Sequence, residues 1–172
     1  SGNDAAIVLA KRVGGTVERF VELMNNKAQE LGMNHTVFHN PHGLDVYEDG
    51  NISTCYDMAL LMNYALKNDV FCEIIKTLEY TSEWGSIFHN SNKLLTTFPF
   101  TLGGKTGYTS KAGYCVSATA ERDGMALVAV VLGSDNSTER FEDAKKMLNW
   151  GFANYAIYQP QIDMSLITDV TV

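Results

Sequence analysis

Cysteine is scarce in this 172-residue chain, and its arrangement does not suit cross-linking. Cys55, Cys72 and Cys115 are odd in number and widely spaced, which excludes a disulfide framework and offers no zinc-ligand pattern. Buried free thiols are the expectation for all three. Positive charge is also in short supply. Thirteen Lys and Arg stand against 20 Asp and Glu, a net charge of -7, and no stretch gathers the basic residues into a stripe. Nucleic acid is therefore not an expected partner. No apolar run approaches the length of a membrane span. Internal repeats and low-complexity tracts are absent as well. What remains is one domain of ordinary size, 45% hydrophobic and able to bury a core, with a short extension.

The chain divides into a helical half, about residues 1–95, and a sheet half, about 96–158. Asp4 to Val13 reads as a helix stopped by Gly14 and Gly15. Thr16 caps a second helix in which Phe20, Val21, Met24, Ala28 and Leu31 keep helical spacing and Gly32 closes the run. Residues 33–53 are dense in turn formers and predict an ordered loop. Thr54 with Asp57 resembles a capping box opening a third helix, and a short helix covers Val70 to Thr77. Beyond residue 95 come three strand-like runs, "TLGGKTGYT", "YCVSATAE" and "MALVAVVLG". The Asp-Gly step in "RDG" joins the last two as a hairpin. A final helix from about Ser137 to Tyr155 offers Phe141, Ala144, Leu148, Phe152 and Tyr155 to this antiparallel meander. Met125 to Leu132 is apolar at every position, so both faces should be buried, as in a central strand. In a three-strand meander it would be an apolar edge, which natural proteins avoid, so strands from outside this sequence are expected beside it, with an oligomer as the lesser alternative.

"GGKTGYT" carries the most chemistry. Lys105 is followed by a hydroxyl at Thr106 and by Gly107, where a ligand backbone can lie close to the strand. Ammonium plus hydroxyl suits a carboxylate, and an unpaired strand amide can hold an oxyanion. On a regular strand Lys105 and Gly107 share one face and Thr106 points to the other unless the strand twists sharply. The glycine pattern of a phosphate-binding loop is absent. By itself the tripeptide is also compatible with a solvent-facing lysine near a glycine turn.

Combined with "SGN" at residues 1–3, and with "MNNKAQELGM", "NPHGLD", "STCYDMALL", "AGYCVSATAERDGM" and "RFEDAKKMLNWGF", the sequence resembles the D-alanyl-D-alanine carboxypeptidases, the low-molecular-weight penicillin-binding proteins, over roughly residues 1–158. The resemblance implies an α+β fold like that of DD-peptidases and beta-lactamases, an antiparallel sheet covered by helices plus a helical subdomain. It implies a cleft in which Ser-x-x-Lys, Ser-x-Asn and Lys-Thr-Gly meet. No serine here has lysine three positions on. The expectation is that the nucleophile segment and the first strands lie upstream of Ser1, and that residues 159–172 begin a C-terminal β domain or linker. By resemblance Ser1 relays protons, Asn3 holds the substrate's peptide amide, and Lys105 lends positive charge beside Ser1. Thr106 binds the terminal carboxylate, Gly107 keeps the wall clear, the Tyr108 amide is an oxyanion donor, and Arg140 supports carboxylate recognition. The implied activity is removal of terminal D-alanine from peptidoglycan stem peptides outside the bacterial membrane, through a serine ester, with beta-lactams as further ligands. No metal or cofactor is implied. Three alternatives stay open: a non-catalytic module that keeps the carboxylate-binding wall, a beta-lactamase of the same fold, and an N-terminal nucleophile at Ser1.

Several features invite a different reading. "SDN" at residues 134–136 copies Ser-x-Asn but follows Lys105 at a strand-to-helix turn, where helix-start chemistry is expected. His39 and His42 lie in a Pro-Gly loop without a marked third ligand, so loop-fixing hydrogen bonds are expected rather than metal. "NSNKLL" (residues 90–95) resembles a family segment near the cleft and is taken as scaffold, with substrate contact as the lesser alternative; "YEDGN" (residues 47–51) reads as a solvated loop, and Trp84 and Trp150 as packing residues.

Overall fold

The computed structural model describes residues 1–45, 50–158 and 160. Two helices open it, α1 (Asn3–Gly14) and α2 (Val17–Glu30). They fold back on each other at Gly14, where a Cβ would lie 2.7 Å from the Phe20 amide nitrogen, so only glycine permits the corner. Thr16 caps α2 as its position predicts, its Oγ1 accepting from Arg19 N–H at 3.1 Å. The loop that follows is pinned by amide side chains. Asn25 exchanges two hydrogen bonds with the Phe38 backbone, both at 2.8 Å, and Asn51 Oδ1 accepts from the amides of His39 and Asn40. A bridge between Val37 and Ile52 closes its base. His42 Nδ1 accepts from Leu44 N–H, the loop-fixing role expected of it. Residues 46–49, most of the acidic stretch, lie outside the described residues.

α3 (Cys55–Ala65) begins with half a capping box. Thr54 Oγ1 accepts from Asp57 N–H, but the buried Asp57 carboxylate turns to the loop and accepts from His35 N–H and Thr36 Oγ1. α4 (Asp69–Lys76) leads into a small hairpin of β1 (Glu79–Thr81) and β2 (Ile87–His89), then a single turn, α5 (Leu94–Thr97). Neither the hairpin nor α5 is marked in the sequence by a sustained period. Each strand has three exposed residues, too few for alternation to register.

β3 (Thr101–Thr109), β4 (Gly113–Arg122) and β5 (Met125–Ser134) form an antiparallel sheet in the order β3-β4-β5. The Asp-Gly turn is present between β4 and β5, with Asp123 at φ 53° and Gly124 at φ 77°. α6 (Glu139–Asn154) lies across one face. Val116, Ala118 and Ala120 alternate along β4 and meet Phe141, Ala144, Leu148 and Phe152 from α6, with Leu94 and Phe98 closing the cluster. The start of α6 is set by Asn136, whose Oδ1 accepts from Thr138 N–H and Glu139 N–H. The "SDN" triplet thus does helix-start work, as expected. α3 also packs against β5, whose middle residues Ala129 and Val130 are buried while Leu132 stays 39% exposed. The outer edge of β5 has no strand partner among the described residues.

Three expectations are corrected. Cys55 is exposed, and Cys72 and Cys115 are half-buried, so the free thiols are not core residues. Trp84 is 89% exposed, since it sits at the tip of a hairpin with nothing beneath it, and Trp150 is also exposed, touching Tyr155 edge-on. Tyr155 lies beyond the end of α6 and is exposed rather than turned to the sheet. Apart from Pro160, the stretch expected to start a β domain or linker (residues 159–172) falls outside the described residues.

Candidate active site

The site forms where the amino end of α1 meets the outer edge strand β3. β3 reaches its place because it has no side chains where α4 and β4 press against it. A Cβ on Gly103 would lie 2.9 Å from the Ile75 carbonyl oxygen, and one on Gly104 would lie 2.3 Å from the Ser117 carbonyl oxygen. Their φ angles of 147° and 153° are likewise costly for any other residue. The β-bulge between Thr101 and Gly103 increases the local twist. Residues 104–109 nonetheless pair in regular register with β4 and exposure still alternates from Lys105 to Gly107, so Lys105 and Thr106 both line the cleft because it lies at the edge of the sheet.

Lys105 Nζ donates to Ser1 Oγ at 2.7 Å, joining residues 104 apart in sequence, and also donates to the Thr106 carbonyl oxygen. No carboxylate pairs with it in the described salt bridges. Desolvation of its ammonium lowers the Lys105 pKa from the ordinary lysine value, and the Arg140 charge lowers it further. Thr106 is 8% exposed, and its Oγ1 lies 2.6 Å from Ser91 Oγ. Ser1, Ser91, Gly104, Lys105 and Thr106 form the polar end of a cleft of about 480 Å³, with Tyr80 and Phe88 among the residues of its apolar end.

The remaining sequence-predicted residues stand around this cleft rather than in its lining. Asn3 is exposed at the first residue of α1. Tyr108 is 57% exposed, with its ring against Tyr114 at 4.3 Å between centroids. Arg140 is buried under β3, where Nη1 donates to the carbonyl oxygens of Gly107 at 3.0 Å and Cys115 at 3.1 Å. Its guanidinium also sits over the rings of Tyr114 and Phe141. Arg140 thus holds the carboxyl end of β3 from behind. At Gly107 itself a Cβ would meet only Cys115 Cβ at 3.8 Å, an ordinary contact. The chain's own packing does not demand glycine there, whereas it does at Gly103 and Gly104.

Two contributors are not among the predicted site residues. Ser91 stands in "NSN", which the resemblance places near the cleft as scaffold, but no local pattern pairs its hydroxyl with Thr106. Asp45 accepts from Thr109 Oγ1 at 2.6 Å and ties the loop to the end of β3 across 64 residues. Among the described residues no group of three His, Cys, Asp or Glu could hold a metal ion.

The structure thus brings the Ser1 hydroxyl, the Lys105 ammonium and the Ser91 and Thr106 hydroxyls to one cleft beside the edge strand of an α+β fold. The chain belongs to the D-alanyl-D-alanine carboxypeptidase family, peptidase family S11, whose pattern matches residues 1–136. It is 40% identical over 162 residues to the D-alanyl-D-alanine carboxypeptidase DacF of Bacillus subtilis, covering 90% of this chain and 40% of that protein. It is 43% identical over 164 residues to DacC of Escherichia coli, covering 93% of this chain and 40% of that protein. The chain thus spans about 40% of the length of these relatives. Among solved structures it is similar to cefotaxime-bound penicillin-binding protein D2 of Listeria monocytogenes, with a TM-score of 0.81 and 35% identity over 88% of this chain and 61% of that one.

Proposed function

We propose that this chain is the Ser-x-Asn and Lys-Thr-Gly portion of a serine-type carboxypeptidase that removes the terminal D-alanine from peptidoglycan stem peptides outside the bacterial membrane. The observation that carries this reading is the Lys105–Ser1 hydrogen bond, which joins the two motifs in one cleft. The nucleophile comes from a Ser-x-x-Lys segment preceding Ser1. Its hydroxyl oxygen adds to the penultimate carbonyl carbon, and its proton passes through Ser1 to the leaving nitrogen. Carbon–nitrogen cleavage then releases D-alanine and leaves a serine ester, which water hydrolyses. Lys105 keeps positive charge beside that proton path. Thr106 receives the terminal carboxylate, and Asn3 holds the substrate amide. Gly107 leaves room for the substrate strand, while Arg140 fixes the Gly107 carbonyl. The Tyr108 amide stabilises the oxyanion, a contribution typically worth about 3 kcal/mol, which cannot replace the absent nucleophile. Beta-lactams enter the same cleft as acyl donors bearing a carboxylate, in keeping with the cefotaxime-bound relative.

Intact mass after incubation with a penicillin tests the reading. The 19.0 kDa chain alone is expected to stay unmodified. The same chain preceded by its upstream segment is expected to gain one penicilloyl group on that segment. An adduct on the 19.0 kDa chain would overturn the assignment of Ser1 as a relay. No adduct on the longer protein would overturn the carboxypeptidase reading.

A further inference from the structure

The loop that precedes α3 meets β3 at Thr109, one residue beyond the amide assigned to the oxyanion. We propose that Asp45 is a positioning residue which, through Thr109, keeps the Tyr108 amide aimed at the reacting carbonyl; this rests on the reading of that amide as the oxyanion donor. Asp45 Oδ2 accepts from Thr109 Oγ1 at 2.6 Å, and the same Thr109 oxygen accepts from Ala112 N–H at 2.9 Å. Two donors thus point in series towards one carboxylate, so each bond strengthens the other. The series fixes the turn between β3 and β4, and with it the residue after Tyr108. The residue before Tyr108 is fixed from the other side. Arg140 Nη1 donates to the Gly107 carbonyl oxygen at 3.0 Å and to that of Cys115, which sits directly opposite Gly107 on β4, at 3.1 Å. The Gly107 carbonyl therefore faces the β4 side. The peptide joining Gly107 to Tyr108 is trans, so its N–H points the opposite way, to the open edge of the sheet. Arg140 grips the donor's own peptide plane, and Asp45 grips the residue that follows it.

The loop holds its shape without help from the Asp45 carboxylate. Asn40 Oδ1 accepts from Gly43 N–H at 2.6 Å, and Asn40 Nδ2 donates to the Leu44 carbonyl oxygen at 2.9 Å, which fixes the residue before Asp45. Asn51 Nδ2 donates to the Asn40 carbonyl oxygen at 3.0 Å and ties in the returning limb. A Cβ on Gly50 would lie 2.9 Å from Asp45 Cβ, so the two limbs touch at Asp45 itself. Together with the bridge between Val37 and Ile52, these contacts deliver the carboxylate to Thr109 on a base that is already ordered. Both partners of the bond are half-buried, sheltered from competing water. The end of β3 needs such an anchor, because an edge strand has a neighbour on one side only. An oxyanion donor acts by being in place before charge develops on the oxygen. A tether that removes its freedom therefore changes the rate of the chemical step and not the affinity for the ligand.

The test uses the protein that includes the upstream segment. Acylation by benzylpenicillin is followed as a function of its concentration, which separates the dissociation constant of the first complex from the acylation rate constant. Asp45→Ala is expected to lower the rate constant roughly 10-fold and to leave the dissociation constant within about twofold. Asp45→Asn, which keeps an acceptor for Thr109 Oγ1, should recover most of that loss. Thr109→Val should match Asp45→Ala, and the double variant should fall no further than either single one. A raised dissociation constant with an unchanged rate constant, or losses that multiply in the double variant, would overturn the proposal. If Asp45→Ala does not fold, Thr109→Val and Asp45→Asn decide by the same split. If wild type is not acylated, the carboxypeptidase reading fails, and the tether is judged from backbone amide resonances of the 172-residue chain. Asp45→Ala should then move the Tyr108 and Thr109 resonances and leave Gly104 and Lys105 in place. A Tyr108 resonance that stays where it was sinks the proposal.

Discussion

The glycines of β3 show how far a single residue's role depends on what surrounds it. "GGKTG" contains three, and their demands differ. Gly104 has its missing Cβ 2.3 Å from a backbone oxygen and a φ of 153°, so alanine there must shift the sheet itself. Gly104→Ala is expected to lower unfolding free energy by about 2–4 kcal/mol, read from urea denaturation. Gly107→Ala meets only a 3.8 Å contact and should change stability by less than about 1 kcal/mol, while slowing penicillin acylation of the longer protein because the methyl occupies the substrate wall. Equal losses of stability in the two variants would show that Gly107 is a folding residue. At this scale the sequence identified the reactive side chains by type: an ammonium, a hydroxyl and glycines in one run. Which glycine serves the fold and which the ligand was hidden, because that depends on β4 and α4, whose contacts with β3 the run itself does not encode.

Among the elements, α3 shows how a cap can connect to something distant. Thr54 caps the helix locally, and Asp57 takes His35 N–H at 2.9 Å and Thr36 Oγ1 at 2.7 Å from the loop. Burial alone would raise the Asp57 pKa, but the hydrogen bonds from Thr36 and His35 outweigh it and hold the group below the ordinary aspartate value. A depressed folded-state pKa means that Asp57 stabilises the fold above about pH 4 and that this contribution is lost as pH falls through the folded value. The stability gap between wild type and Asp57→Asn should therefore be widest at neutral pH and narrow in acid. Denaturation series at the two pH values measure it, and a gap independent of pH would mean that the charge contributes nothing. The helices and the three long strands were legible from period and caps. The β1–β2 hairpin and α5 were not, because three or four residues carry too little pattern to show a period.

On the scale of the whole molecule, the sheet has two unlike edges. β3 on one side carries the candidate site, and β5 on the other is apolar along its length. α6 and α3 both pack against β5, while its outer edge has no strand partner among the described residues. An apolar groove continues from it, with Leu127 and Val130 on one wall and Met147 and Trp150 on the other. Such an edge is a template for another strand. The 172-residue chain by itself is expected to self-associate as its concentration rises, in sedimentation velocity, and Leu132→Lys should weaken that association. A chain that stays monomeric throughout would show that the edge is not available for pairing. In the longer protein, strands from upstream are proposed to occupy it.

The sequence by itself determined the longer helices and the three long strands, most of their caps and turns, and the side-chain chemistry available at Ser1, Asn3, Lys105, Thr106 and Arg140. These follow from properties carried by a residue and its near neighbours: side-chain type, helical or strand period, and the backbone freedom of glycine. Only the tertiary structure decided that Ser1 and Lys105 come within 2.7 Å, that Arg140 grips the Gly107 carbonyl from behind, and that Ser91 pairs with Thr106. Those contacts join residues 104, 33 and 15 positions apart, and they depend on how α1, α6 and the turn after β2 dock on one strand. Docking is set by the sum of many small packing and backbone terms, and no short stretch of sequence holds that sum.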